Sequence, residues 1–306
     1  MKAKTIKSVL SRKHNALLKS IDDPNIKHIF ENEAIITGGS IASMLLNEKV
    51  SDFDYYFTNQ EAAREVADYY LSKFRATHDP ENLRETRVAL DKETGRVRIE
   101  IPSSGILSEK EFKSGAADLL PESELEQINS EAAGLDGDTD EPAEIDGRFR
   151  PVFLSSNAIT LSNKVQIVIR FYGEPDQIHE NYDFEHCKCY WVARTGELKL
   201  PERALLCLLN KELLYTGSRY PLCSIIRTRK FIQRGWQINA GQYVKMALHL
   251  NSFDLLDPDV LEDQLTGVDV AYFMQVINSI KRMQEEKPDF ELKPEYLIEV
   301  IDRLFN

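Results

Sequence analysis

A short stretch from Ile35 to Phe57, reading IITGGSIASMLLNEKVSDFDYYF, restricts the folding of this chain more than any other. An apolar run ends at two glycines, a short helical segment follows, and Asp52 and Asp54 then interrupt a run of aromatic residues. Asp is disfavoured in strands, and a buried charge is costly unless something pairs with it. We therefore expect these two carboxylates to serve a ligand rather than the core.

The glycine pair, Gly38 and Gly39, stands between a predicted buried strand and a predicted helix. Glycine lets a backbone approach a ligand closely, and the first N–H groups of the helix that follows suit a phosphate. Asp52 and Asp54 fall on one face of the next predicted strand, because side chains alternate along a strand. Adjacent carboxylates repel each other unless a cation lies between them, and such oxygen ligands suit Mg²⁺. The pattern predicts a site for nucleoside triphosphate chemistry.

Length and composition set the general class of protein. The 306 residues allow one large or two ordinary domains, and 42% hydrophobic with 29% charged residues is typical of a soluble globular chain. The basic first residues lack the apolar core of a signal peptide, and no apolar run reaches the roughly 20 residues of a membrane span. Four cysteines are too few for a disulfide framework, so we expect a reducing, cytoplasmic location.

The net charge of −12 is concentrated in one segment. Residues 118–147 contain eleven acidic side chains and no Lys or Arg, so the remainder of the chain is close to neutral. A near-neutral remainder still allows a basic face for nucleic acid. Two roles for the acidic segment stay open: it binds a basic partner, or it covers a basic face.

Hydrophobic periodicity predicts an α+β chain in two domains. Before residue 200 it predicts helices over 5–32, with a break at Asp23-Pro24, over 40–47 and over 60–76. It predicts strands over 34–37, 53–57, 96–101, 165–172 and 182–192. From Pro201 it predicts helices over 201–216, 221–235, 239–252, 257–267, 268–285 and 294–305. The expected plan is a mixed-sheet head over 1–200, with an acidic, partly disordered insertion at 103–157, and an all-helical domain over 201–306.

The glycine pair and the two carboxylates also carry a resemblance. Gly38-Gly39, then Leu45-Leu46, then Asp52-x-Asp54 resembles the signature of nucleotidyltransferases of the DNA polymerase β superfamily. The spacing is most similar to that of the class II CCA-adding tRNA nucleotidyltransferase and poly(A) polymerase family. In that family the first Asp comes fourteen residues after the first Gly, and the same spacing separates Gly38 from Asp52. The resemblance implies a nucleotidyltransferase-type mixed sheet with flanking helices, followed by a helical domain.

Two further segments match the family more loosely. NYDFEHCKCY, with Asp183-Phe184, resembles the family strand that reads RDFTINAL, and IIRTRKFIQRGWQI resembles the start of its helical neck. The departures are as informative. The family's Arg-Asp after the glycines is Ala42-Ser43 here, and its base-reading motif falls on the segment YPLCS at 220–224. The resemblance therefore supports the fold and the reaction class better than it supports CCA addition.

The resemblance also implies roles for particular residues. Two Mg²⁺ ions would be held by carboxylates from the catalytic set Asp52, Asp54 and Asp183. The third of these is the most open, and Glu100 and Glu185 are its alternatives. The triphosphate would contact Gly38, Gly39 and Ser40, and phosphates would also contact Arg227 and Arg229. A solvated helix face is the alternative for the two arginines.

The expected function is the transfer of a nucleoside monophosphate from a nucleoside triphosphate to an acceptor hydroxyl. An RNA 3′ end, such as that of a tRNA, is the first acceptor that the resemblance implies. The alternatives are a protein or small-molecule acceptor, as in toxin-like or resistance-type nucleotidyltransferases, and an inactive relative that only binds nucleotide. The intact Asp-x-Asp argues against the inactive relative. No membrane partner is expected, and the sequence does not indicate an oligomeric state.

Overall fold

The computed structural model describes residues 1–76, 86–91, 94–101, 106–107, 149–265, 280–282 and 292–305. Its contacts divide the chain into two compact units. The first comprises Met1–Tyr182 with His186–Asn210, and the second comprises Asp183–Glu185 with Lys211–Asn306. The helix over 202–210 therefore belongs to the first unit, although the sequence analysis assigned it to the second domain.

The first unit contains a mixed sheet. Its described strands are β1 (Ala34–Thr37), β2 (Phe53–Phe57), β5 (Ile106–Leu107), β6 (Pro151–Leu154), β7 (Ala158–Leu161), β8 (Val165–Tyr172), β9 (Tyr190–Val192) and β10 (Glu197–Lys199). They lie in the order β10-β9-β1-β2-β8-β7-β6-β5. The β2–β8 pair is parallel and the other pairs are antiparallel. Strands β3 (Arg87–Leu90) and β4 (Val97–Glu100) form a separate antiparallel hairpin.

The helices of the first unit are α1 (Ala3–Ser20), α2 (Pro24–Glu33), α3 (Gly39–Leu46), α4 (Gln60–Arg75), α5 (Pro175–His179) and α6 (Glu202–Asn210). Those of the second are α7 (Pro221–Gln233), α8 (Ala240–Leu250), α9 (Pro258–Gln264) and α10 (Pro294–Phe305). The described helices include none that is long and apolar enough to cross a membrane.

Local signals set several of these boundaries. The side chain of Asp23 accepts hydrogen bonds from the backbone N–H groups of Asn25 and Ile26, so α2 begins at Pro24. Asn59 caps α4 in the same way, by accepting from Ala62. Helix α3 ends where Asn47 adopts a left-handed conformation, which is a common helix terminator. Short-range chemistry thus divides the first part of the chain into separate helices and strands.

The strand register gives the two faces of the sheet different characters. One row of paired residues, here called the apolar row, consists of Trp191, Ile36, Tyr55, Ile167 and Ile159. All five are buried, and the rings of His14 from α1 and Phe30 from α2 pack against Tyr55. The next row along the strands, here called the polar row, consists of Tyr190, Thr37, Asp54, Gln166 and Thr160. Because side chains alternate along each strand, the polar row lies on the opposite face.

The mixed α+β class and the helical C-terminal region are as predicted. Strands β1 and β2, the long strand β8, and helices α1 to α4 lie where the sequence analysis expects them. The helices of the second unit also match, apart from the predicted helix over 268–285, of which only 280–282 are described. The whole acidic segment, 118–147, also lies outside the described residues.

Three expectations were wrong. The predicted strand over 182–192 forms only at Tyr190–Val192, and Glu185–Cys187 is a turn of 3₁₀ helix. The predicted insertion over 103–157 extends too far, because Pro151–Leu154 forms β6 within the sheet. The predicted helix over 201–216 ends at Asn210, and Lys211 then has a positive φ of 49°. In the segment 182–192, backbone groups form hydrogen bonds with residues that are distant in sequence. An argument from periodicity cannot detect such pairs.

The helix-covered face of the sheet contains a buried histidine. The ring of His14 stacks on Tyr55 at a centroid distance of 6.0 Å and packs edge-on against Trp191 at 5.3 Å. Burial lowers the pKa of His14 to about 4. Its Nδ1 atom has no hydrogen-bond partner among the described residues. His14 is therefore neutral in the folded protein near neutral pH, and acid must protonate it at a cost to stability.

We predict that His14→Phe weakens the pH dependence of stability between pH 6.5 and pH 4. The folded-state pKa of His14 lies below its unfolded value of 6.5, so the unfolded state binds this proton first as the pH falls. Stability from the neutral ring is complete above pH 6.5 and is lost towards pH 4, with a slope of at most about 1.4 kcal/mol per pH unit. Urea unfolding at several pH values measures this slope. An identical slope in the variant would contradict the assignment.

Candidate functional site

The turn between β1 and α3 depends on Gly38. This residue has φ 102° and ψ −152°, and its N–H donates to the carbonyl oxygen of Cys187 at 3.2 Å. A Cβ atom at this position would lie 2.9 Å from Oδ2 of Asp54 and 3.4 Å from the hydroxyl of Tyr182. Such a separation is too short for a side chain in ordinary contact. The carboxylate of Asp54 therefore lies directly against the backbone of the glycine turn.

Strand pairing accounts for this close approach. In the antiparallel β1–β2 pair, Asp54 lies opposite Thr37, the residue that precedes Gly38. Asp52 comes immediately before β2, is half-buried, and accepts a hydrogen bond from the Ser51 hydroxyl at 2.8 Å. The two carboxylates that the sequence singles out thus belong to one short stretch of extended chain. Of the two, the structure brings Asp54 into contact with the glycine turn.

The first turn of α3 follows directly from Gly38. Ser40, its second residue, is 2% exposed, and its hydroxyl has no hydrogen-bond partner within the described residues. An unsatisfied buried hydroxyl costs roughly 1–3 kcal/mol, so such groups usually serve a ligand or a water molecule. A Cβ atom at Gly39 would meet nothing within 4 Å, so close packing requires glycine only at position 38.

A buried hydrogen-bond chain supports the end of β1. The Thr37 hydroxyl donates to the carbonyl oxygen of Cys189 at 2.9 Å and lies 2.8 Å from Nε2 of His179. Because the hydroxyl has one proton, Nε2 must donate to it, which fixes the tautomer of His179. Burial, and then the charge of Lys188, lowers the pKa of His179 to about 4. The imidazole is therefore neutral near pH 7 and serves as a fixed donor beneath the turn.

Aromatic rings pack beside the carboxylate. The ring of Tyr182 lies 6.1 Å from that of Tyr56 and 5.0 Å from that of His179. Burial raises the pKa of Tyr182 well above its usual value, with further contributions from Tyr56 and the charge of Asp54. The phenol therefore keeps its proton, and its hydroxyl can act as a hydrogen-bond donor next to the glycine turn.

Asp183 and Arg227 form an ion pair in the second unit. Asp183 lies on a bend rather than on the predicted strand, and its Oδ2 accepts from Nη1 of Arg227 at 2.9 Å. The Asp183 side chain is 11% exposed and that of Arg227 is 42% exposed. Arg229, the other predicted phosphate-binding arginine, is exposed on α7. The structure thus joins two residues that the sequence assigned to separate roles.

The two alternative carboxylates also have partners. Glu100 lies in the β3–β4 hairpin, and its oxygens accept from Arg87 at 2.6 Å and Arg98 at 3.1 Å. These two hydrogen bonds lower the pKa of Glu100. Glu185 is buried, and its backbone N–H donates to Leu214. Among the described residues, no three His, Cys, Asp or Glu side chains come together in an arrangement that could hold a metal ion.

Sequence reasoning did not find the residues that flank Asp54. Thr37 and Gln166 are strand neighbours of this carboxylate only because of register, and His179 reaches Thr37 because α5 packs on the same face of the sheet. The polar position in VQIVIRFY was a weak signal for Gln166. No sequence spacing connects Thr37 with His179, which lies 142 positions later.

Comparison with known families gives a match over the first two thirds of the chain. Residues 8–211 match Gad2, described as the Gabija anti-defense 2 family, and this range covers more than half of the chain. The chain belongs to the Gabija anti-defense 2 family. The matched range includes the glycine turn, both carboxylates and His179, whereas Arg227 and Arg229 of this family member lie outside it. No protein of curated function matches this Gabija anti-defense 2 family member in sequence.

Solved structures similar to this Gabija anti-defense 2 family member include a Thermotoga maritima CCA-adding enzyme complexed with tRNA, at 13% identity and a TM-score of 0.37. That match covers 92% of this chain and 56% of the enzyme. A tRNA-processing enzyme in an apo form matches at 13% identity and a TM-score of 0.38, with coverage of 90% and 62%. The chain thus spans less than two thirds of the length of either protein. These values are low, so they assign no activity to this chain.

We predict that the two glycines of the turn differ in their tolerance of a side chain. Gly38→Ala should lower the free energy of unfolding by about 1–3 kcal/mol or more. The positive φ of this position strains any residue with a side chain, and the added Cβ atom would press against the Asp54 carboxylate. Gly39→Ala is the matched control and should change stability by less than about 1 kcal/mol, because its Cβ meets nothing. Urea unfolding compares the two. Equal losses would show that the close approach is not what requires glycine.

We also predict measurable coupling between Asp183 and Arg227. A double-mutant cycle with Asp183→Asn and Arg227→Met should give an interaction energy of about 1 kcal/mol, because the pair is only partly buried. Thermal or urea unfolding of the four proteins provides the cycle. Strictly additive effects would contradict a structural ion pair and leave Asp183 available for another role.

Proposed function

We propose that this chain is a metal-dependent nucleotidyltransferase that transfers a nucleoside monophosphate from a nucleoside triphosphate to an acceptor hydroxyl. The observation that carries the proposal is the carboxylate of Asp54 against the backbone of Gly38, at the first turn of α3. A helix N-terminus favours phosphate, and an adjacent carboxylate favours a divalent cation. One turn of chain thus offers both halves of a site for a metal-bound polyphosphate.

The residues present fit such a ligand in three respects. The donor set of Asp52 and Asp54 consists of hard carboxylate oxygens, the kind that Mg²⁺ prefers. A side chain at position 38 would meet the Asp54 carboxylate, so glycine is what lets this carboxylate lie beside the start of α3. The buried hydroxyl of Ser40 at the start of α3 offers a hydrogen bond that no described residue takes up. When bound, Mg²⁺ would supply charge neutralisation at the phosphates and would lower the pKa of the acceptor hydroxyl.

The chain's own groups would bind and orient the reactants. Backbone N–H groups after Gly38 and the Ser40 hydroxyl would hold the triphosphate, and the neutral His179–Thr37 chain would keep the turn in place. In the reaction, the acceptor oxygen bonds to the α-phosphorus, the bond to the bridging oxygen breaks, and pyrophosphate leaves with that electron pair. The acceptor proton passes to water. For a third carboxylate the sequence names Asp183 first, with Glu100 and Glu185 as alternatives, but the arginine partners of Asp183 and Glu100 weaken both of these assignments.

An RNA 3′ hydroxyl is the acceptor that we propose first. The support comes from the second unit, where Arg229, Lys230 and Arg234 are exposed on and just after α7. Exposed basic side chains supply the phosphate contacts on which RNA binding depends. The two arginines first assigned to phosphates, Arg227 and Arg229, lie on this same helix.

A protein hydroxyl is the second candidate, and the family description favours it. A family described as Gabija anti-defense acts against a defence, and covalent nucleotidylation of a Gabija component would be one way to do so. The two candidates share the site and the reaction, and they differ only in what receives the nucleotide.

We predict that Asp54→Asn reduces nucleotide transfer by at least about a hundredfold, the scale on which single electrostatic contacts to a transition state act. The purified protein is incubated with Mg²⁺ and each labelled triphosphate, together with pooled RNA and, separately, with Gabija components. Asp68→Asn on the exposed side of α4 is the matched control and should leave transfer unchanged. Mass spectrometry of RNA and protein identifies the acceptor.

Two outcomes would overturn the proposal. Label transfer that survives the Asp54→Asn substitution would mean that this carboxylate is not part of the chemistry. If the unsubstituted protein neither transfers nucleotide nor binds a triphosphate in the presence of metal, the proposed site does not exist. Transfer to RNA that weakens steeply with salt would support the first acceptor over the second.

A further inference from the structure

The strand register places Gln166 beside Asp54 on the neighbouring strand. Asp54 of β2 pairs with Gln166 of β8, and Gln166 pairs in turn with Thr160 of β7. Side chains of directly paired residues extend from the same face, and neighbouring strands lie about 4.7–4.9 Å apart. On its other side, Asp54 pairs with Thr37 of β1. The strand neighbours of this carboxylate are therefore an amide and a hydroxyl, and neither carries a charge.

The charge of the site follows from this arrangement. Asp52 and Asp54 together carry two negative charges, which neutralise one divalent cation and no more. The described residues contain no group of three acidic, histidine or cysteine side chains that could hold a metal. Glu100 is bonded to two arginines, and Asp183 is bonded to Arg227. The position where the neighbouring strand could supply a third carboxylate is occupied by Gln166.

An amide oxygen is a recognised but uncharged ligand for hard cations. Mg²⁺ binds weakly where charged ligands are few, and it often completes its coordination with the phosphate oxygens of a substrate. The buried hydroxyl of Ser40 and the glycine turn lie at the same end of β1, where a polyphosphate would bring those oxygens. The two carboxylates supply few charged ligands for a cation, and a polyphosphate held at the glycine turn would supply the further charged oxygens.

We propose that Gln166 supplies a neutral third ligand beside Asp54, so that a divalent cation binds tightly only together with a nucleoside triphosphate. This inference rests on the proposed function and adds a condition to it: the cation and the triphosphate bind tightly only together. Because coupling between two ligands is reciprocal, the triphosphate should also bind tightly only with the cation. The chain would then hold little metal until its substrate arrives.

The test measures Mn²⁺ binding to the protein, by electron paramagnetic resonance of free Mn²⁺ with and without a non-hydrolysable triphosphate analogue, after subtraction of the Mn²⁺ that the same analogue binds without protein. In the unsubstituted protein, the analogue should tighten Mn²⁺ binding at least about tenfold. Gln166→Glu adds a carboxylate of the same length and should tighten binding without the analogue by about tenfold. Gln166→Met removes the amide oxygen and should weaken binding in its presence. Unfolding curves verify that each variant is folded.

The matched control is Thr160→Glu, which adds the same charge to the same row but one strand farther from Asp54. It should change Mn²⁺ affinity less than threefold, because a ligand must contact the ion whereas a distant charge is screened. If Gln166→Glu and Thr160→Glu have equal effects, the gain is general electrostatics and the inference is overturned. Tight Mn²⁺ binding by the unsubstituted protein without the analogue would overturn it as well.

These results separate the two proposals. If the protein binds Mn²⁺ with the analogue and transfers nucleotide, but Gln166→Glu changes nothing, the role of Gln166 is wrong and the proposed function stands. If Mn²⁺ does not bind under either condition, and Asp54→Asn behaves like the unsubstituted protein, the proposed function fails and the inference fails with it.

Discussion

The contact between the Asp54 carboxylate and the Gly38 backbone depends on one strand register. Asp54 faces Thr37 across the β1–β2 pair, and a shift of one residue would exchange the two rows of the sheet. Asp54 would then lie among the rings packed against α1 and α2, and Tyr55 would lie at the glycine turn. Burying that carboxylate among aromatic rings without a partner would cost several kcal/mol, so the core and the site select the same register.

The apolar row supplies the stability that the polar row lacks. Tyr55 is fully buried, its ring packs with those of His14 and Phe30, and Phe30 packs in turn on Phe57. On the opposite face, among the described residues, Ile178 of α5 packs with Ile35, Tyr56 and Val168, and Tyr190 of the polar row packs against this group. A sheet with one well-packed face can hold half-buried polar groups on the other without losing its register.

Sequence reasoning singled out those parts of the candidate site that are close together along the chain. The glycine pair, the short helix and the two carboxylates lie within Gly38–Asp54, and the rules for strands and helix starts act over such distances. It failed where partners are distant. Cys187 and Cys189 were placed on a strand because of alternation, but their carbonyl groups accept from Gly38 and Thr37, and the chain there is mostly irregular.

The same distinction explains why Gln166 could not be identified from its own segment. In VQIVIRFY it is one polar residue in an alternating strand, and nothing within eight residues relates it to a carboxylate more than a hundred positions earlier. Only the parallel β2–β8 pairing makes it a neighbour of Asp54. A parallel pair requires a long connection, which here contains α4 and the acidic segment, so its register cannot be read from local turns. The residues proposed to hold metal and phosphate are thus encoded locally, whereas the residue proposed to adjust the charge of the site is encoded by topology.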